Sequence, residues 1–227
     1  MIDKNAYYVD KTNLIENVLN EQNVFFTRPR RFGKTLNMSM LYYFFSIKEK
    51  ENAYLFNGLN ISKNKKAIKH QNQYPTLFIT LKDMKNSSYE KQMNRFKEII
   101  CLCAKNFLEL LDSDELLDSE KKLFQKYVDN ETEDNELERE IFNISYFLYK
   151  HYHQKVIILI DEYDVPLQAA YQYNYYDEMV EFLRSVFSSA LKTNDALEKG
   201  IMAGCLRISK ESIFTGLNNF KAYSILY

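Results

Sequence analysis

The sequence contains few cysteines, and no two of them have the CxxC spacing of a metal-binding pair. Only three occur in 227 residues: Cys101 and Cys103 lie two positions apart, and Cys205 stands alone. Zinc sites and redox motifs typically use CxxC pairs, and small secreted domains use an even-numbered disulfide framework. The sequence argues against both arrangements. We interpret the cysteines as packing residues of a protein in a reducing compartment.

The sequence also lacks a charge excess and a long apolar run. Its 30 basic and 31 acidic residues leave a net charge of −1, which provides no bulk attraction to nucleic acid or to anionic membranes. No stretch approaches the roughly 18 apolar residues of a membrane-spanning helix. Residues 1–5 contain no apolar segment of the kind that signal peptides carry. We therefore expect a cytoplasmic protein that does not bind membranes.

The apolar pattern predicts an α/β fold. Buried strands are predicted at residues 24–27, 75–81, 156–160 and 200–204. Helices are predicted at about residues 34–48, 88–110, 137–148 and 175–192. Strands that alternate with helices indicate a parallel sheet with helices on both faces. The sequence has no repeat and no low-complexity linker, so we expect one domain over residues 1–227.

The region between the second and third strands, residues 82–155, contains only predicted helices. We interpret it as a mostly helical insertion between two strands of the core. Within it, residues 112–140 are strongly acidic. We interpret this stretch as a solvated loop between helices, because charge runs usually face water.

A phosphate-binding loop is predicted at residues 28–35. Their sequence, R-P-R-R-F-G-K-T, matches the last three positions of G-x-x-x-x-G-K-[ST], with Arg28 in place of the first glycine. Gly33 would let the backbone approach a phosphate, and the following helix would offer unpaired N–H groups to the anion. Lys34 is predicted to reach the β- and γ-phosphates, and the Thr35 hydroxyl to hold Mg²⁺. The predicted nucleotide-binding residues are Arg30, Arg31, Phe32, Gly33, Lys34, Thr35 and Leu36, of which the two arginines have ion pairs with acidic residues as their alternative role.

Two carboxylates end the third predicted strand. Asp161 directly follows the run 156–160, and Glu162 comes next. In phosphate-loop NTPases the first carboxylate belongs to the magnesium shell, and the second can polarise the attacking water. Two acids at a strand end can also simply face solvent. Guanine recognition would need N/T-K-x-D, and the closest segment, residues 64–67, ends in alanine, which argues against GTP.

Four blocks of the sequence resemble the predicted AAA-ATPase-like family. They are residues 8–12 (Y-V-D-K-T), 26–36 (F-T-R-P-R-R-F-G-K-T-L), 159–164 (L-I-D-E-Y-D) and 204–219 (G-C-L-R-I-S-K-E-S-I-F-T-G-L-N-N), in the family's order. The resemblance implies a three-layer α/β P-loop NTPase core of the ASCE type, with strand 200–204 between the other two site-bearing strands. It also implies that Arg28 is normal at its position and that Arg207 senses the nucleotide, with a structural ion pair as the alternative.

Family members often continue into a C-terminal nuclease-like domain of the PD-(D/E)xK type. Residues 120–122 (E-K-K) have the E-x-K spacing but lie in a polar helical segment, so we reject them as its remnant. We expect an isolated ATPase part or a fragment, whose partner is such a domain or another protein. Nucleic acid has no support as a ligand. Tyr7 or Tyr8 would stack on adenine, with core packing as the alternative.

These features predict magnesium-dependent ATP binding and hydrolysis that drives a conformational change. The predicted catalytic residues are Lys34, Glu162 and Arg207, and the predicted metal ligands are Thr35 and Asp161, with ATP and Mg²⁺ as cofactors. The alternative is a nucleotide-binding switch or scaffold with little hydrolysis, which the lack of an evident partner domain favours. A small-molecule kinase would need an acceptor pocket, which the sequence does not reveal.

Overall fold

The computed structural model describes residues 9–27, 29, 32–205 and 220–223, the last four as backbone only. The strands are β1 (Asn23–Thr27), β2 (Thr76–Thr80), β3 (Val156–Asp161), β4 (Leu197–Gly204) and β5 (Phe220–Tyr223). The α-helices are α1 (Asn13–Leu19), α2 (Lys34–Phe45), α3 (Lys65–Ile68), α4 (Tyr89–Ala104), α5 (Asp118–Asp129), α6 (Glu140–Tyr152), α7 (Val165–Gln172) and α8 (Tyr176–Leu191). Short 3₁₀ helices span Ile47–Phe56, Asn60–Lys63, Lys105–Asp112 and Asp134–Arg139.

Parallel strands form one sheet in the order β2-β3-β4-β1-β5 within the described part of the chain. Every residue of β3 is buried, which explains the continuous β-branched run in its sequence. Gly200 of β4 lies opposite Asn23 of β1 on one side and Ile158 of β3 on the other. The predicted strand at 200–204 is confirmed, although it begins three residues earlier, and it lies between β1 and β3 as the resemblance implied.

Helices cover both faces of this sheet, as predicted. Ile158 and Ile160 of β3 belong to an apolar cluster that includes buried residues of α4, α6 and α8. Ile157 and Leu159 point to the opposite face and join a cluster with α1 and α2. The mixed α/β architecture is thereby confirmed. Its parallel strands place the C-terminal ends of β1, β3 and β4 at one edge, where ligands of such sheets bind.

The helix predicted over residues 88–110 is shorter than expected. Helix α4 ends at Ala104, and the chain continues as a 3₁₀ helix in which Phe107 has φ −132° and ψ 39°. The prediction failed because the three-residue spacing of Phe107 and Leu110 suits a 3₁₀ turn as well as an α-helix. Both side chains remain buried in the tighter turn.

The interpretation of residues 112–140 as a solvated loop is wrong. The segment contains α5 and the 3₁₀ helix Asp134–Arg139, with Phe124, Tyr127 and Leu137 fully buried or nearly so. The acidic residues lie mostly on the outer face of these helices. The high proportion of charged residues made their amphipathic pattern hard to recognise in the sequence. Residues 82–155 as a whole contain helices and no strand. Their status as an insertion in a single domain stays a prediction.

The cysteines of α4 are packing residues, as predicted. Cys101 and Cys103 are buried and unpaired, and burial raises the pKa of the Cys103 thiol to about 12. Cys205 is also unpaired but is only partly buried, at the end of β4. In the described part of the chain, no helix combines the length and the apolar character that crossing a membrane would need.

Candidate nucleotide site

Gly33 makes the turn that connects β1 to α2. Its φ of 73° and ψ of 24° lie in the left-handed region, which glycine adopts without the steric cost of a side chain. A Cβ atom at this position would meet nothing within 4 Å, so the space beside the turn is open. The Gly33 carbonyl accepts the Asn37 N–H at 2.9 Å, which starts the helix directly after the turn. β1, the turn at Gly33 and α2 follow one another along the chain, which is the order of elements in a phosphate loop.

Lys34, the first residue of α2, turns its ammonium group back onto the loop and the sheet. The residue is only 6% exposed. Its Nζ donates to the Pro29 carbonyl at 3.2 Å and to the Cys205 sulfur at 3.0 Å. The ammonium thus connects the loop after β1 with the end of β4. A ligand at this position would have to exchange with these contacts.

Asp161 ends β3 as a buried carboxylate with one unsatisfied oxygen. The residue is 1% exposed, and its Oδ1 accepts the Glu162 backbone N–H at 3.0 Å. Its Oδ2 has no hydrogen-bond partner among the described residues. Burial raises the pKa of this carboxyl, while the nearby Thr35 hydroxyl, the Glu162 N–H and the Lys34 ammonium each lower it. Thr35 therefore lies close to the carboxylate without satisfying Oδ2.

Glu162 adopts a strained backbone conformation directly after Asp161. Its φ of 58° is in the left-handed region, which costs a non-glycine residue on the order of 1–3 kcal/mol. Such strain often occurs where a side chain must point in a particular direction. Here the Glu162 side chain lines a cleft that also contains Lys34.

Asp164 is a buried residue of the site to which sequence reasoning assigned no role. It is 0% exposed, and its Oδ1 accepts the Cys205 N–H at 3.1 Å while its Oδ2 accepts the Gln168 side-chain N–H at 2.7 Å. The carboxylate connects the end of β4 to α7. Gly204 belongs to the same arrangement, because a Cβ there would lie 2.6 Å from the Tyr163 ring and 2.7 Å from Asp164 Oδ1. Both residues were present in the blocks that resemble the family, and that was the available signal.

The structure brings four of the predicted site residues to one edge of the sheet. Lys34 and Thr35 begin α2, and Asp161 and Glu162 follow each other at the end of β3. Phe32 and Leu36 flank the turn and are 55% and 42% exposed. The predicted residues Arg30, Arg31 and Arg207, together with Arg28, Tyr7 and Tyr8, lie outside the described residues.

The donor atoms of this edge fit a hard divalent cation. Asp161 Oδ2 is buried and unsatisfied, and the Thr35 hydroxyl lies beside the same carboxylate. Oxygen donors of this kind suit Mg²⁺, which commonly binds through one or two protein oxygens together with waters and substrate phosphates. The described residues contain no group of three or more acidic, histidine or cysteine side chains that could hold a metal ion.

The fold and the glycine turn are consistent with a P-loop-like core, that is, with an α/β protein that binds nucleotides. A family model described as "Predicted AAA-ATPase" matches residues 1–214. The chain belongs to this AAA-ATPase-like family. Comparison with curated proteins and with solved structures found no match.

Proposed function

We propose that the chain binds ATP with Mg²⁺ at this edge of the sheet and hydrolyses it to drive a conformational change. The observation that carries the proposal is the convergence of Lys34 at the start of α2 with Asp161 and Glu162 at the end of β3. The core would be of the ASCE type, since β4 lies between β1 and β3. We keep residues 1–227 as one domain with a helical insertion at about 82–155.

Each side chain has a distinct part in this proposal. Residues 30–36 would surround the phosphates, with Lys34 bound to the β- and γ-phosphate oxygens after leaving Pro29 and Cys205. Thr35 and Asp161 would hold Mg²⁺, which neutralises charge on the phosphates when bound. Glu162 would orient a water molecule and accept its proton. Arg207 would sense the terminal phosphate.

A nucleotide-dependent switch with little hydrolysis is the second candidate, and one contact favours it. The Lys34 ammonium bonds both the Pro29 carbonyl and the Cys205 sulfur, so nucleotide binding would release the loop from the end of β4. That exchange alone could change the conformation without turnover. Measuring ATP turnover with and without DNA or a protein partner would separate the two candidates.

Substitution of Lys34 by methionine tests nucleotide binding directly. Lys34→Met keeps the aliphatic stem that is buried here and removes only the charge. A charge-assisted contact to phosphate contributes on the order of 2–3 kcal/mol, so Mg-ATP affinity should fall roughly 30- to 150-fold in isothermal titration calorimetry. Lys66→Met, at an exposed lysine of α3, is the matched control and should bind like the parent. Equal affinity of Lys34→Met and the parent would refute the proposed site.

A further inference from the structure

A cleft extends from the candidate nucleotide site toward the β2 edge of the sheet. Its volume is about 650 Å³, and it is enclosed by the loop after β2, the end of β3 and one face of α7. Lys34 and Glu162 of the candidate nucleotide site also line it. Because β2 pairs with β3, the loop after β2 lies beside the end of β3 and brings Lys82 and Lys85 into the same cleft.

The lining of the cleft is basic. Lys82 and Lys85 line it, both are exposed, and neither forms an ion pair with another described residue. With Lys34 they provide three ammonium groups, whereas Glu162 is the single carboxylate in the lining. A concave surface with an excess of positive charge concentrates anions. The cleft therefore suits a phosphate group.

The α7 side of the cleft is suited to an organic group. Val165 and Ala169 are buried residues one helical turn apart on α7, and Gln172 and Tyr173 continue the same lining. An apolar surface with an amide and a phenol beside it is typical of small-molecule sites, which have volumes of about 300–1,000 Å³. A bare phosphate ion would leave most of this wall uncovered.

We propose that the cleft binds a small organic phosphate, with its phosphate on Lys82 and Lys85 and its organic part against Val165, Ala169 and Tyr173. The proposal rests on the proposed function, because the cleft shares Lys34 and Glu162 with the candidate nucleotide site. The ligand would lie next to the terminal phosphate of ATP and on the same side as Glu162. The cleft has the size of an acceptor pocket for a small molecule, which the sequence alone did not reveal.

Titration of ribose 5-phosphate into protein saturated with Mg-ADP tests this site. The exposed pair Lys82→Gln/Lys85→Gln should weaken ribose 5-phosphate binding about tenfold or more, since two charge-assisted contacts are lost, and should leave Mg-ADP affinity within about twofold. The matched control, Lys65→Gln/Lys66→Gln on α3, removes the same charge elsewhere and should have no effect. Ionic strength is held constant because exposed charges are screened by salt.

Tyr173→Ala and inorganic phosphate test the organic part of the ligand. The substitution is at an exposed residue, 43% accessible, and should weaken ribose 5-phosphate while leaving inorganic phosphate unchanged. Equal binding of ester and inorganic phosphate would overturn the assignment and indicate a site for released phosphate. Tighter binding of a single-stranded oligonucleotide would overturn it in favour of a polymer.

The failure of this inference is distinguishable from failure of the proposed function. If the parent protein does not bind Mg-ADP at all, the nucleotide site itself is wrong. If Mg-ADP binds normally but the parent does not bind ribose 5-phosphate, or Lys82→Gln/Lys85→Gln binds it like the parent, only the second site is wrong. The first result concerns Lys34, and the second concerns Lys82 and Lys85.

Discussion

Replacement of Glu162 by glutamine separates nucleotide binding from hydrolysis. Glu162 directly follows the buried Asp161 and lines the same cleft as Lys34. In the proposed function its carboxylate would act on a water next to the terminal phosphate. Glutamine preserves the length and the hydrogen-bonding capacity of the side chain but removes the basic oxygen. The backbone strain at φ 58° is common to both residues, so the substitution leaves that cost almost unchanged.

The expected magnitude follows from general-base catalysis. A positioned base contributes about 10²–10⁴-fold to the rate, which corresponds to roughly 3–5 kcal/mol in the activation free energy. Glu162→Gln should therefore release phosphate from Mg-ATP at least about a hundredfold more slowly than the parent. Its affinity for Mg-ATP should match the parent's, because Glu162 is not placed among the phosphate or metal ligands.

The assay is steady-state phosphate release at saturating Mg-ATP, with affinity measured separately by calorimetry. Glu181→Gln, at an exposed position of α8, removes one carboxylate from a different surface and serves as the control. The reasoning requires a parent with measurable turnover, with a partner added where turnover depends on one. A Glu162→Gln variant that keeps the parent's rate would refute the catalytic role and favour the switch.

Three further substitutions test the surroundings of the site and the core. Asp161→Asn should reduce the magnesium dependence of ATP binding, and equal losses with and without EDTA would instead indicate a structural role. Gly204→Ala should destabilise the fold by about 1–3 kcal/mol in urea titration, because its Cβ would overlap the Tyr163 ring. Glu140 is buried, and desolvation raises its pKa from 4.5 to about 7. The folded state therefore holds an extra proton, and stability should fall as pH rises through that window, by about 3 kcal/mol at most. Glu140→Gln should remove this pH dependence in denaturation measured between pH 4.5 and 8.

The parts of the fold that sequence analysis predicted well are those with an unambiguous local pattern. The β-branched run from Val156 to Ile160 suits a strand buried on both faces, and the Gly33-Lys34-Thr35 turn has few alternatives between a strand and a helix. The position of β4 between β1 and β3 came from the family resemblance and not from local pattern. The sequence analysis predicted a loop where α5 lies, because acidic residues are frequent there and the apolar face of the helix is narrow. That face holds Phe124 and Tyr127.

The parts of the site that could not be predicted depend on neighbours distant in sequence. Nothing local indicates that Glu162 has a positive φ, because glycine and asparagine are the residues that commonly adopt that conformation and glutamate is not. The contact between Lys34 and Cys205 requires β1 and β4 to be adjacent. Lys82 belongs to the cleft only because β2 pairs with β3.

The pairing of β1 has a consequence for biosynthesis. Among the described residues, its partner strands are β4 and β5, so Asn23 meets Gly200, which is 177 positions later in the chain. At a synthesis rate of about 5–20 residues per second, β1 would wait roughly 10–35 s on the ribosome for its first partner strand. During this time Val24, Phe25 and Phe26 present an apolar strand with open edges, the kind of segment that chaperones protect. β1, which precedes the candidate phosphate loop, therefore acquires a partner strand only after β4 has been made.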